Sequence, residues 1–171
     1  HMVFVYLFYN LIQGVDNAHE GDTKNLYLTY RAYGDKGRFL ITPWDFDLSW
    51  GNEYNWAASY ATGQYTYGVD KNLIMDKNVV HILLENEDEH IKELISKRYA
   101  KLRENGWSEE IMMHMLDEYE KKIFDSGAYE RESHRWPHAH YVEKENKLNL
   151  FKTYVKERLQ VMDKYVADIT R

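Results

Sequence analysis

The chain has no cysteine, which removes disulfides, thiolate metal sites and cysteine nucleophiles from consideration. That absence leaves the compartment open, because secreted proteins also manage without cysteine. Proline is scarce, with Pro43 and Pro137 alone, so long stretches are free of a forced helix break. No apolar run approaches the ~18 residues expected of a membrane span. Cations show no excess: 22 Lys and Arg against 28 Asp and Glu leave a formal net charge of −6. Phosphate-backbone binding draws on clustered Lys and Arg, whereas here they alternate with acids, as along residues 87–98. Nucleic acid is therefore not an expected partner.

Aromatic residues are plentiful instead. Fifteen Tyr and five Trp exceed what a core of this size requires. Their flat faces and polar tips suit both helix packing and half-wet clefts. The 171 residues fit one domain, or most of one. His1-Met2 reads as the remnant of a tag and is set apart from the single domain expected over residues 3–171. Val3 begins directly in an apolar stretch, as expected of a segment taken from a longer protein.

Residues 3–13, VFVYLFYNLIQ, are apolar almost all round, which predicts a buried helix. Gly14 ends it, and a polar loop rich in Asp, Asn and Gly follows over residues 15–25. Aromatic and β-branched residues at 26–33 and 38–44 flank Gly34-Asp35-Lys36-Gly37, a hairpin signal. Pro43 suits a strand end, where no ladder donor is needed. From Val79 onward the periodicity is helical. Ile91, Leu94, Ile95, Tyr99 and Leu102 mark one helix. Ser108, followed by Glu109 and Glu110, marks the start of another that continues through Ile111, Met115, Tyr119 and Ile123. The last helix carries Leu148, Phe151, Tyr154, Val155, Leu159, Met162, Val166 and Ile169 on one stripe. The expected fold class is α+β, mainly α: buried helix, loop, β-hairpin, then a bundle of helices.

The hairpin converts sequence into geometry. A turn centred on residues 34–37 sets Tyr33 opposite Arg38, Leu26 opposite Asp45 and Asn25 opposite Phe46. Opposed residues in an antiparallel pair have Cα atoms ~4.5–5.5 Å apart, so Asn25 and Asp45 become neighbours at the hairpin mouth. The loop holding Asp16 feeds straight into the first strand and reaches the same mouth. Asp16, Asn25, Asp45 and Asp47 then form an oxygen-rich set suited to a hard cation such as magnesium, which takes one or two carboxylates plus water and substrate phosphates. Each Asp alone is equally at home as a turn residue.

Residues 15–51 resemble the core motif of the spore coat protein H (CotH) kinase family. The resemblance rests on Asp16 in its loop, Asn25 before the aromatic strand, and the block Pro43-Trp44-Asp45-Phe46-Asp47-Leu48-Ser49-Trp50-Gly51. Arg135-Trp136 and the closing helix with Arg158 at its middle add to it. The family is described as distantly protein-kinase-like, transferring phosphate from ATP to serine in spore-coat or secreted proteins. The resemblance thus implies a C-lobe-like fold, ATP and magnesium as cofactors, a coat, cell-surface or extracellular location and a protein substrate. It implies Asp16 as the catalytic-loop Asp, with Asp22 an open alternative because Asp16 stands nine positions before Asn25 rather than five. It makes Asn25 and Asp45 metal ligands and Asp47 a second acidic member. Lys24 and His19 are candidate nucleotide contacts, and Lys24 and Arg31 lie close enough to the mouth to meet phosphate; each also reads as an ordinary surface residue. The Gly-rich loop and strand Lys that grip ATP in protein kinases are absent, so this segment is expected to be the C-terminal part of the domain and inactive alone.

Other readings stay open. The aromatic segment 54–67 could bind protein or carbohydrate in a module without catalysis, and the acidic set could hold calcium structurally. His134, His138 and His140 surround Pro137, which prevents the continuous helix that would stack them as ligands, so a polar loop is expected. The Met-rich 112–115 reads as helix core and filler.

Overall fold

Helix α1 spans Met2–Ile12, beginning one residue before the apolar run at Val3. Tyr6, Leu7, Tyr9, Leu11 and Ile12 are almost fully buried, as an all-round apolar helix requires. The computed structural model describes residues 1–14, 17, 25–51, 68–69, 78–137 and 144–171, with the backbone alone for 144–147. Strands β1 (Leu26–Tyr33) and β2 (Lys36–Pro43) pair antiparallel. Helices α2 (Val79–Glu85), α3 (Glu89–Arg103), α4 (Glu109–Glu120), α5 (Ala128–Arg135) and α6 (Lys144–Ile169) follow. Helix α1 packs against α2, α3 and α6, and α6 also meets α3 and α4. The expected mainly helical fold with a small antiparallel element is what the chain adopts.

The helix starts follow local chemistry. Asn78, Asp88 and Ser108 each accept a backbone N–H of the first turn, from Val80, Ile91 and Ile111 respectively. Helix α4 runs on into a π-turn, Lys121–Asp125, and Gly127 at φ 72° separates that turn from α5. The stripe expected on α6 is buried from Leu148 to Val166, with Phe151 and Ile169 half-buried against the same core. The stripe read on α4 is not. Ile111, Met115 and Tyr119 are exposed, and Met112, Met113 and Leu116 face the core instead. Both sets satisfy helical spacing, and the position of α6 decides between them. The filler reading of the Met-rich segment therefore holds for Met112 and Met113 and fails for Met115. Leu94 likewise lies outward while Ile95 and Tyr99 are buried.

The last four carbonyls of a helix have no partner within it. In α1 all four find one. Tyr9 O accepts from the Gln13 and Gly14 amides. Asn10 O and Leu11 O accept from the Arg158 guanidinium of α6, with Nε at 3.1 and 3.3 Å. Ile12 O accepts from the Trp50 amide at 2.5 Å. Arg158 is fully buried, and its Nη1 also donates to Val69 O at 2.8 Å. A cation here also meets the negative end of the helix dipole. On the far side of α6, Asp163 accepts Arg103 Nε and Nη2 at 2.8 and 3.1 Å and the Tyr99 hydroxyl at 2.7 Å, tying α3 to α6. Burial and the Asp163 carboxylate push the Tyr99 hydroxyl far above its ordinary pKa.

Two hydroxyls in α1 contrast sharply. Tyr6 shares a 2.6 Å hydrogen bond with Tyr165, while the Tyr9 hydroxyl is buried with no hydrogen-bond partner among the described residues, and burial raises its pKa. Removing an unsatisfied buried group relieves a desolvation cost of ~1–3 kcal/mol, so Tyr9→Phe is expected to be neutral or stabilising. Tyr6→Phe is expected to destabilise by leaving Tyr165 alone. Urea denaturation that ranks these two variants the other way round would contradict this account. Arg158→Lys keeps the charge but loses the planar fork. It is expected to cost about 3 kcal/mol, a melting temperature lower by roughly 6–12 °C.

Candidate active site

The segment from Trp44 to Gly51 runs from the surface into the core. Phe46 is half-buried and meets the Phe8 and Tyr9 rings edge-on, each at 5.6 Å. Leu48 is buried, and Trp50 packs edge-on against Phe151 and Tyr154. Asp45, just before Phe46, and Asp47, between Phe46 and Leu48, are exposed. Asp45 stands in left-handed backbone and Asp47 in a bend, and both carboxylates face solvent. The Ser49 hydroxyl donates to Phe46 O at 2.6 Å and holds the segment in its turn. Gly51 ends it at φ 86°, where a Cβ would lie 2.5 Å from Tyr154 Cε2, so a side chain is excluded on both counts.

The hairpin register differs from the expected one. Leu26 pairs with Pro43, not Asp45, and Tyr33 with Lys36, not Arg38. The turn uses two residues, Gly34 and Asp35, with positive φ (57°) at Gly34 alone, the pattern of a type II′ hairpin. Gly37 consequently lies within β2, where the Tyr30 ring covers the space a Cβ would need. A two-residue slip preserves the faces of both strands but moves the mouth. Continued past Leu26–Pro43, the register sets Asn25 level with Trp44 rather than Phe46, so Asp45 lies just beyond the paired strands. Arg31 pairs with Arg38 near the turn, five residues or roughly 17 Å from Leu26, too far to serve the mouth.

Asn17, which the sequence reading passed over, connects the parts. It is fully buried; its amide donates to Gly14 O at 3.0 Å, and its Nδ2 donates to Trp44 O at 2.7 Å and Asp45 O at 3.4 Å. The residue next to Asp16 therefore grips the backbone of Asp45. Its one signal in sequence is an Asn in a polar loop, indistinguishable from a turn former. Asn25 and Asp45 both adopt left-handed backbone, at φ 52° and 59°, which Asn and Asp tolerate best among residues with a side chain. Asp16, Asp22, His19 and Lys24 lie outside the described residues, as do His138 and His140 and the aromatic segment 54–67.

Among the described residues, no group of three or more His, Asp or Glu side chains forms a ready metal cage. The donor set nevertheless suits magnesium. Asn25, Asp45 and Asp47 supply hard oxygens, and the exposure of both carboxylates leaves room for water and phosphate in the shell.

A family model described as CotH kinase protein matches residues 4–162, from the first turn of α1 well into α6. The chain belongs to the CotH kinase protein family. That match takes in the whole acid-bearing block, the hairpin and Arg158, and the CotH domain here is kinase-like. No curated protein and no solved structure matches the chain.

The Asn17 clamp has a measurable order. Asn17→Ala leaves the Trp44 and Asp45 carbonyls short of a donor and is expected to cost ~1–3 kcal/mol. Asn17→Asp puts an acceptor against those carbonyls and is expected to cost more. Chemical denaturation showing the Asp variant to be the more stable would refute the clamp.

Proposed function

We propose that this domain serves a phosphotransferase that moves the γ-phosphoryl group of ATP to serine hydroxyls of a protein. The observation that supports it best is the outward pair Asp45 and Asp47 on an inward-anchored segment, within a CotH kinase match that spans most of the chain. Asn25, Asp45 and Asp47 would hold magnesium, which when bound supplies positive charge against the ATP phosphates. Asp16 orients the serine hydroxyl and takes its proton as the serine oxygen attacks the γ-phosphorus and ADP leaves. Phosphoryl transfer asks little more of a protein than such positioning and charge. Asn17 keeps the Asp45 backbone beside the loop that carries Asp16. The substrate proposed, on the motif resemblance alone, is a serine-bearing coat, secreted or cell-surface protein. The Gly-rich loop and strand Lys that grip ATP in protein kinases are not recognisable in this sequence, so the transfer assay is made on full-length protein.

The decisive variant is Asp45→Asn, because Asn is as tolerant of left-handed backbone as Asp and removes only the charge. Full-length protein is expected to transfer labelled phosphate from ATP, with transfer in Asp45→Asn lower by about a hundredfold or more and the melting temperature unchanged. Equal transfer by the variant, or none by the parent with magnesium present, would defeat the proposal. A module that binds without catalysis would instead keep protein or sugar affinity in Asp45→Asn and lose it when Trp56 or Tyr65 is replaced.

A further inference from the structure

The β-hairpin is exposed along both strands, and its two faces differ. Leu26, Leu28, Tyr30, Phe39, Ile41 and Pro43 share one face. Leu26 and Ile41, at its base, pack against the core; Leu28, Tyr30 and Phe39 are 62%, 62% and 68% exposed. Arg31, Lys36 and Arg38 share the opposite face, with Arg31 directly across from Arg38. Like charges directly opposed across a strand pair are destabilising. Arg31 lies over the Tyr33 ring at 5.1 Å. None of the ion pairs among the described residues includes any of these three cations. Asp35 is the hairpin's one carboxylate, so three cations stand against one acid in a chain whose net charge is −6.

The strand edges differ too. The two-residue turn makes Tyr33–Lys36 a hydrogen-bonded pair, and ladder alternation then points the amides and carbonyls of Leu28, Tyr30 and Ala32 outward from β1. On β2 the same alternation turns Gly37, Phe39, Ile41 and Pro43 outward, and Pro43 has no donor to offer. Among the described residues no third strand covers β1. A two-stranded ribbon is marginal in water by itself, and an open edge is a template for another strand.

We propose that the β1 edge is a docking strand for an extended protein segment whose residues alternate between apolar and acidic. Added beside β1, such a segment pairs with the outward amides of Leu28, Tyr30 and Ala32. Its apolar side chains cover Leu28 and Tyr30 on one face, and its carboxylates reach Arg31 on the other. The period of two along a strand is what lets one segment satisfy both faces. Backbone pairing supplies affinity, and the charge sets which partners are accepted. This surface is separate from the proposed phosphotransfer chemistry and stands or falls without it.

The probe is a fluorescein-labelled, N-acetylated octapeptide of alternating valine and glutamate, titrated with the chain while anisotropy is read. Saturable binding is expected, weakened by salt and lost when valine alternates with lysine. Arg31→Glu places a carboxylate opposite Arg38 and removes the like-charge pair, so the hairpin is retained, which a thermal melt verifies; affinity is expected to fall about tenfold or more. A peptide N-methylated at alternate amides, tested on the unaltered protein, is expected to bind as weakly. The proposal is overturned if Arg31→Glu or N-methylation leaves affinity unchanged, or if no saturable binding occurs below ~1 mM. It is also overturned if a thymidine oligonucleotide competes as well as the peptide, which would mark a general polyanion surface.

Discussion

The structure turns on the contact between Arg158 and the end of α1. A fully buried guanidinium is costly to desolvate, and this one is offset by carbonyls that would otherwise be orphans themselves. Its planar, multi-donor shape suits the job, since Asn10, Leu11 and Val69 offer acceptors in different directions. The same residue fixes where α1 stops and how deep α6 lies beneath it. The left-handed turn at Gln13, the Gly14 carbonyl and the Asn17 bridge are all reached from that fixed end. The acidic segment is thus referenced to the helical core rather than to the exposed hairpin before it.

Left-handed backbone concentrates around this junction. Gln13, Asn25, Asp45 and Trp50 all have positive φ. Asn and Asp accept that geometry readily, but Gln and Trp do so at a cost of about 1–2 kcal/mol each. Both are held by specific bonds, Gln13 through its buried amide to Gly68 O and Trp50 through its backbone amide to Ile12 O. Strain maintained by surrounding bonds is common where a segment must be presented in one conformation. Here the segment so presented carries Asp45 and Asp47.

Much of this was legible in the sequence. The buried first helix, the Ser108 cap, the α6 stripe and the existence of the hairpin follow from local patterns that burial respects. What failed did so for tertiary reasons. Gly-Asp-Lys-Gly offers more than one place to turn, and a Gly37 lying within β2 under the Tyr30 ring is visible only once the strands are paired. Both α4 stripes satisfy a helical period, and the choice between Met112 and Met115 as the inner residue rests on where α6 runs. The slip of two left the faces of both strands as expected but moved Asp45 beyond the pairing. Arg158 stood out by resemblance, but its partners are backbone atoms nearly the whole chain away. Backbone carbonyls have no letter in a sequence.

The bond from the Trp50 amide to Ile12 O has a bearing on dynamics. Hydrogen exchange at that amide requires the bond to break, so the acidic segment cannot lift away there without giving up its tie to the end of α1. Leu48, Ser49 and Gly51 are buried with it, whereas the outer hairpin meets the core through Leu26 and Ile41, so less buried surface opposes its opening. Opening at the hairpin tip would then leave the backbone of Asp45 and Asp47 largely in place.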